Sequence, residues 1–367
     1  MTTAALPLFA DPVAPADRDV LPPRAWLPDR VLFTPDALAQ PFGARMHERL
    51  RALGLPIEQL GANRLVGLRG RDARETYRLA KRTLSVVTAP AGQLRLQPIP
   101  PSADWQFHLA QGCPAHCQYC YLAGSLAGPP TVRVYANLPE ILGNLPAYVS
   151  PGDGTTSFEA SCYTDPLAIE HLTGSLAETI RWFGTRDDMA RARLRWVSKF
   201  TTPALVAPLL ELPHGGRVRA RASVNAAPVA RAFEPGVPVV SERLAGLGAL
   251  ARAGQPVGLV IAPIMPIGDW AAHYGALLDD ARAALPVGSD LTIELITHRF
   301  TPGSRDTLRS WYPNSALEMD AALRTEKRGK FGAVKHVYPR ETMRDLKHWF
   351  ARTISERLPE ARIRYWT

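Results

Sequence analysis

Cysteine is scarce: there are four in 367 residues, and three of them crowd between positions 113 and 120. So small a set cannot staple a chain of this length as a disulfide scaffold, and it points to a reducing compartment, the cytoplasm. Long apolar runs are missing, which argues against membrane-spanning helices. Met1 to Asp17 lack a basic region followed by an apolar core, so no signal peptide is expected. Acidic residues are in deficit, 34 against 43 Lys and Arg, for a formal charge of +9. That surplus favours a polyanionic partner, nucleic acid being the commonest, although a GC-rich genome enriches Arg regardless of function. No internal repeats are found. What the chain does have is 46% hydrophobic residues, enough for one barrel-sized domain plus an appendage.

The chemistry concentrates in Gly112-Cys113-Pro114-Ala115-His116-Cys117-Gln118-Tyr119-Cys120-Tyr121-Leu122. C-x3-C-x2-C spacing suits a loop wrapped around a soft metal centre. With only three thiolate ligands, a four-iron cluster keeps one iron open to an external chelate. Radical S-adenosylmethionine (SAM) enzymes use that arrangement, the methionine amino and carboxylate groups taking the open iron. Structural zinc is the alternative, but it usually wants four ligands in two paired knuckles. His116 is a fourth ligand on paper only, since it lies inside the same short loop and makes a cramped site. Tyr119 and Tyr121 match the aromatic usually found beside the last cysteine, which favours the cluster.

Residues 1–27, rich in Pro and Ala, read as a flexible arm, and 28–101 as an N-terminal α/β region. In that region a strand is expected at Arg30–Phe33, a helix at Pro41–Leu53 closed by Gly54, and a second strand region within Pro56–Leu68. Arg71–Leu84 has helical spacing and Leu84–Ala89 looks extended; no chemical motif is defensible there. From Trp105 strands and helices alternate, the signature of βαβ units and a parallel sheet. Strands are expected at Gln106–Leu109, Ser157–Ser161, Arg195–Ser198, Val218–Val224, Val257–Ala262 and Leu291–Leu295. Helices are expected at Leu138–Val149, Ile169–Phe183, Thr202–Leu210, Val240–Ala253 and Trp270–Ala284. The fold class is therefore α/β, a partial (β/α)6 barrel over 102–300. Ligands gather at the C-terminal strand ends of such sheets, and there the cysteine loop, Cys162, Lys199 and Asn225 follow successive strands. Residues 301–367 form a C-terminal extension with a basic hairpin at about 329–338, a helix (Glu341–Arg357) and a last strand (Ala361–Trp366). Arg324, Lys327, Arg328, Lys330 and Lys335 stand there against Glu326, with Phe331 and Tyr338. A hairpin presenting cations and an aromatic to phosphates and bases is one reading, a solvated surface turn the other.

These residues together resemble the spore photoproduct lyase family of radical SAM DNA-repair enzymes. The resemblance covers nearly the whole chain, including 71–84, 133–138, Phe158–Asp165, His171–Thr173, Ala222–Ala226, Phe233–Gly236, Glu294–Phe300 and the hairpin. The cysteine triplet alone specifies only the superfamily; with both tyrosines and Cys162 it specifies the family. The resemblance implies that Cys113, Cys117 and Cys120 bind a [4Fe–4S] cluster whose fourth iron chelates SAM. It implies that a 5′-deoxyadenosyl radical removes hydrogen from C6 of 5-thyminyl-5,6-dihydrothymine, the spore photoproduct, so that the methylene bridge breaks. Cys162 matches the cysteine that gives the resulting thymine radical a hydrogen atom, and Tyr119 and Tyr121 the tyrosines that pass the hydrogen on. Lys199 matches the lysine that holds the methionine carboxylate. Thr164, Ser223, Asn225 and Ala262 fall at further SAM contacts, and Lys330, Phe331 and Lys335 at substrate contacts. DNA and an unidentified electron donor are the implied partners, with no membrane and a monomeric state expected.

The sequence departs from the family pattern in places. Tyr163 stands where a small hydroxyl residue is expected and narrows the pocket beside Cys162. Lys330 replaces an Arg, keeping charge but losing the bidentate fork, and Ala333 replaces a bulkier side chain that helps extrude the lesion. Two other readings follow: a related enzyme acting on a different lesion, nucleoside or RNA base, and a metal-stapled nucleic-acid-binding protein without catalysis. A free cysteine such as Cys162 can also be simply buried.

Overall fold

A computed structural model describes residues 21–22, 25–126, 128–328 and 334–367. Most of the expected N-terminal arm, and the hairpin tip with Lys330, Phe331 and Ala333, lie outside the described residues. The strands are β1 (Arg30–Phe33), β2 (Ile57–Gln59), β3 (Thr83–Val87), β4 (Gln97–Ile99), β5 (Ala103–Phe107), β6 (Ala110–Gln111), β7 (Val132–Tyr135) and β8 (Thr156–Ala160). There follow β9 (Ala192–Ser198), β10 (Val218–Val224), β11 (Val257–Ile264), β12 (Leu291–Thr297), β13 (Thr325–Arg328), β14 (Val334–Val337) and β15 (Arg362–Trp366).

The six strands expected in the barrel form consecutive parallel neighbours, in the order β5-β8-β9-β10-β11-β12. Side chains alternate between the faces of a strand. Ala220, Ala222, Val224, Val257, Leu259 and Ile261 form the apolar face turned away from the interior of the half-barrel, all buried. Two further strands flank the six. β4 adds antiparallel to β5, and β15, the expected last strand, adds parallel to β12. β15 is thereby part of the barrel wall.

A second sheet, in the order β2-β1-β3-β7-β6, is built largely from the N-terminal region. It crosses the boundary expected at residue 101, because β7 pairs parallel with β3 and β6 pairs with β7. β7 escaped the sequence reading as a strand. The cysteine loop consequently leaves β6 and returns through β7 within this second sheet, directly after barrel strand β5.

Four helices match closely, Pro41–Ala52, Val240–Arg252, Trp270–Ala284 and Arg340–Arg357. Three are broken where one was expected. Leu138–Gly143 gives way to a 3-10 turn at Leu145–Tyr148, because Pro146 has no N–H to continue the helix. Gly174, at φ 68°, divides Glu170–Thr173 from Ser175–Thr185. Pro203–Val206 tightens into the 3-10 turn Ala207–Leu209 around Pro208. The strand region expected over 56–68 shortens to β2, ended by the turn residues Gly61 and Asn63. The Arg71–Leu84 pattern yields the helix Ala73–Lys81, capped by Asp72, whose Oδ1 accepts from the Glu75 N–H at 2.7 Å.

Beyond the barrel, His298 is buried beside Arg324, whose Nη1 donates to the His298 carbonyl at 3.2 Å. Burial, reinforced by that guanidinium, pushes the imidazole pKa down to about 3. The unfolded chain binds a proton here below about 6.5, whereas the folded chain refuses one until much lower pH. Stability is therefore lost as pH falls from about 6.5 towards 3, by at most about 1.4 kcal/mol per pH unit from this group. His298→Gln is expected to flatten the fall in Tm between pH 6.5 and 4, measured by thermal melts at each pH; an unchanged slope would remove His298 as the cause.

Candidate active site

The cysteine loop opens with Gly112 at φ 79°, where a Cβ would collide with the Thr131 carbonyl on the strand leading into β7. Only glycine allows the chain to turn there. The loop is then tied down from two sides. The His116 and Gln118 N–H groups donate to the carbonyls of Pro235 (3.2 Å) and Phe233 (2.9 Å). On the other side, the buried Lys81 ammonium donates to the carbonyls of Cys113 and Ala115. Lys81 ends the N-terminal helix from which no chemistry was expected. His116, the fourth ligand on paper, makes a 2.9 Å hydrogen bond through Nδ1 with the Tyr77 hydroxyl.

One cavity of about 610 Å³ occupies the C-terminal strand ends. Cys113, Cys117, Cys120 and Cys162 line it, all four of them free thiols. Tyr119, Tyr121, Thr164, Lys199, Ser223 and Ala262 line it as well. Asn225 does not. Its Nδ2 donates to the Pro263 carbonyl (2.8 Å) and its Oδ1 accepts from Tyr274 (2.9 Å) and the Ala226 N–H (2.9 Å), so these three bonds hold it in the barrel wall.

The two tyrosines differ in setting. Tyr119 donates to Glu234 Oε1, whereas Tyr121 is 60% exposed on the cavity wall and its hydroxyl has no hydrogen bond among the described residues. Glu234, missed by the sequence reading, is a hub. It accepts from Lys199 Nζ at 2.8 Å and pairs with the buried Arg243 guanidinium at 2.6 Å. Burial works against its charge, but Lys199 and Arg243 win and hold its pKa down at about 2. Lys199 has three N–H donors, so one spent on Glu234 leaves two for an incoming carboxylate. The signal for Glu234 was present in Phe233-Glu234-Pro235-Gly236, whose backbone also clasps the loop.

Cys162 is aimed by strain. Ser161, directly before it, is the one non-glycine residue at positive φ (60°) among the described residues. Its N–H donates to the Phe107 carbonyl (2.8 Å) and its Oγ accepts from the Leu109 N–H (2.9 Å). Those bonds hold a conformation that costs roughly 1–3 kcal/mol, and the kink ends β8. Burial, with Glu159 adding to it, pushes the Cys162 thiol well above the usual range, so it stays S–H. Tyr163 packs its ring on His108 at 4.8 Å and lines the cavity beside it.

The floor carries a buried four-charge network. Arg221 Nη1 reaches Glu294 Oε1 and Oε2 at 2.9 and 2.8 Å, and its Nη2 reaches Glu159. Arg195 bridges the same two carboxylates, Ser102 donates to Glu159 (2.9 Å), and Tyr365 on β15 donates to Glu294 (2.8 Å). The sequence signal was a charge at a central position of each of four barrel strands, Glu159 in β8, Arg195 in β9, Arg221 in β10 and Glu294 in β12.

On the hairpin, Lys327 and Lys335 are exposed and directly opposed across β13 and β14. Like charges so placed repel, a cost that a bound polyanion relieves. Arg324 is not part of that display, contrary to expectation. It lies 3.8 Å over the Tyr338 ring and donates to Glu318 at 2.9 Å.

The donor set fits an iron–sulfur centre. Burial pushes all three loop thiols up, with Lys81 and Lys199 offsetting only part of it, so a bound cationic centre is what would hold them as thiolates. No three His, Cys, Asp or Glu side chains among the described residues converge on one point as a single metal ion requires. Sulfurs on one zinc lie within about 4 Å of each other, while a polynuclear cluster takes a wider spacing. The buried Thr164 Oγ1 has no partner among the described residues and awaits one from a ligand.

A curled parallel sheet with three cysteines in the loop after its first strand defines the class: this is a radical SAM half-barrel. The spore photoproduct lyase family model matches residues 26–367. The spore photoproduct lyases of Geobacillus sp. (strain Y412MC61) and Bacillus subtilis (strain 168) are 36% and 35% identical to this chain. Those alignments cover 94% and 93% of this chain and 100% and 99% of the relatives. A mutant spore photoproduct lyase solved with bound AdoMet, that is SAM, and dinucleoside spore photoproduct superposes with a TM-score of 0.87. It is 35% identical, over 94% of this chain and 100% of the other. The chain belongs to the spore photoproduct lyase family.

Proposed function

We propose that the chain is a radical SAM lyase that returns 5-thyminyl-5,6-dihydrothymine in DNA to two thymines. The observation that carries this is the meeting, in one cavity, of the three-cysteine loop, a protonated Cys162 and the wall tyrosine Tyr121. Cys113, Cys117 and Cys120 would hold a [4Fe–4S] cluster. When bound with SAM, that cluster supplies a 5′-deoxyadenosyl radical to take hydrogen from C6 of the lesion. Lys199 binds the methionine carboxylate, Thr164 and Ser223 bind polar groups of SAM, and Ala262 leaves room for the adenine. Cys162 gives its hydrogen atom to the allylic thymine radical, because an S–H bond is weak enough to donate to carbon. Tyr121 then re-reduces the thiyl from the open wall, with Tyr119 behind it on Glu234. DNA is the substrate and the cytoplasm, where DNA and reducing conditions coincide, the place of action; the enzyme works as a monomer.

The test is anaerobic reconstitution with iron and sulfide, then reaction with SAM, reductant and a dinucleotide spore photoproduct, following thymidylyl-thymidine by mass. Repair with SAM largely regenerated is expected. Deoxyadenosine without repair would direct the search to another nucleic-acid substrate, a reading that the Tyr163 ring beside Cys162 favours. A protein that binds zinc and leaves SAM intact would end both.

The hairpin also has an expected outcome. Lys327→Ala with Lys335→Ala should weaken duplex binding and reduce the slope of log affinity against log salt by about 2, one per lost phosphate contact. Equal slopes by fluorescence anisotropy would return the segment to a plain surface turn.

A further inference from the structure

The cysteine loop is a wall with two sides. On one side is the large cavity; on the other is a void of about 10 Å³ lined by Cys113, Cys120, Lys81, Tyr77, Trp311 and Tyr312. If SAM and lesion fill the cavity, as the proposed function has it, an electron reaching the loop must come from the second side. That side is paved with aromatic rings in contact. Tyr77 packs on Trp311 at 4.8 Å, on Tyr312 at 5.4 Å and on His116 of the loop at 5.8 Å between centroids. The rings are carried by two neighbouring helices, Ala73–Lys81 and Pro302–Trp311.

The outer surface of these helices is cationic. Arg74, Arg78 and Arg309 are exposed and form no ion pair among the described residues, while Arg71 and Arg305 are paired locally with Glu75 and Asp306. Leu79, 38% exposed, and the half-buried Trp311 put apolar surface among the arginines. Small mixed patches of this kind, charged at the rim and apolar within, suit weak, fast redox encounters. A phosphate backbone has no use for the apolar part.

We infer that the outer face of the Ala73–Lys81 and Pro302–Trp311 helices docks a small acidic one-electron redox protein that reduces the centre held by the cysteine loop. This inference rests on the function proposed above. One electron leaves the partner's reduced group and enters the oxidised centre. The partner is oxidised by one electron, no covalent bond breaks and no proton must move. Tyr77, Trp311 and Tyr312 supply a packed path from surface to loop, and the arginines steer the encounter.

The test uses the full-length reconstituted protein with Arg74→Glu and Arg78→Glu together, and separately Arg309→Glu. Fully reduced flavodoxin, a small acidic flavoprotein, serves as probe, and cluster reduction is followed by absorbance and electron paramagnetic resonance. Reduction by flavodoxin is expected to slow by about tenfold or more at low salt and to lose its salt dependence. Reduction by dithionite, which needs no docking, should match the parent protein, as should duplex affinity. Unchanged flavodoxin rates would overturn the inference. An equal loss of duplex affinity would also overturn it, giving the face to nucleic acid. Failure of dithionite to reduce the parent protein would instead remove the centre itself and the functional proposal beneath.

Discussion

Cys162→Ala protein is expected to bind iron and cleave SAM as the parent does, yet to yield at least about tenfold less repaired thymine, about 1.4 kcal/mol or more of lost partitioning. The cysteine loop, Lys199 and Glu234 are untouched by the change, so formation of deoxyadenosine is preserved. What is lost is the hydrogen atom that quenches the thymine radical once the bridge has broken. The radical then collects in altered thymine products, separable by mass. Cys162→Ser should fail equally, although it keeps size and polarity, because an alcohol O–H is too strong to give its hydrogen to an allylic carbon radical. That pair of variants separates S–H chemistry from mere placement. Normal product from either would take Cys162 out of the mechanism.

The readiness of Cys162 was only partly legible in the sequence. Its place at a strand end follows from the alternation of strands and helices, and the strand order came out as the pattern implied. That Ser161 enters the left-handed region and turns the thiol inward belongs to no propensity of serine; it is imposed by Phe107 and Leu109 of the neighbouring strand end. Lys81 was illegible for a related reason. A lysine ending an amphipathic helix reads as a solvated cation, and only the second sheet brings it onto the carbonyls of Cys113 and Ala115. Asn225 was legible by position, at a strand end, but its bonds to Tyr274 and Pro263 within the wall were not. Periodicity recovers which residues lie on a face. It does not recover which partners arrive from distant segments.

The cavity floor makes the largest stability prediction on that ground. Arg221, Arg195, Glu159 and Glu294 are all buried, two charges of each sign. Burial opposes the Arg221 charge, yet Glu159 and Glu294 more than offset it and hold the guanidinium above its usual range. Arg221→Met therefore leaves two buried carboxylates to share Arg195. Removing one partner of a buried ion pair costs about 3–5 kcal/mol, mainly through the charge left behind, so Tm should fall by roughly 5–10 °C. Removing a carboxylate in the same protein should recover part of that loss. In Arg221→Met with Glu294→Leu, Glu159 and Arg195 remain as a one-to-one pair already 3.5 Å apart. Tyr365 loses its acceptor, at about 1 kcal/mol, yet no charge is unmatched. The double variant is thus expected to melt higher than the Arg221→Met single, a coupling opposite in sign to simple addition. A double variant destabilised by the sum of the two singles would mean that solvent reaches the floor and screens these charges. The four would then be independent polar groups rather than one network, and the floor would not be the rigid base that keeps β8, with Cys162 at its end, in register with β10 and β12.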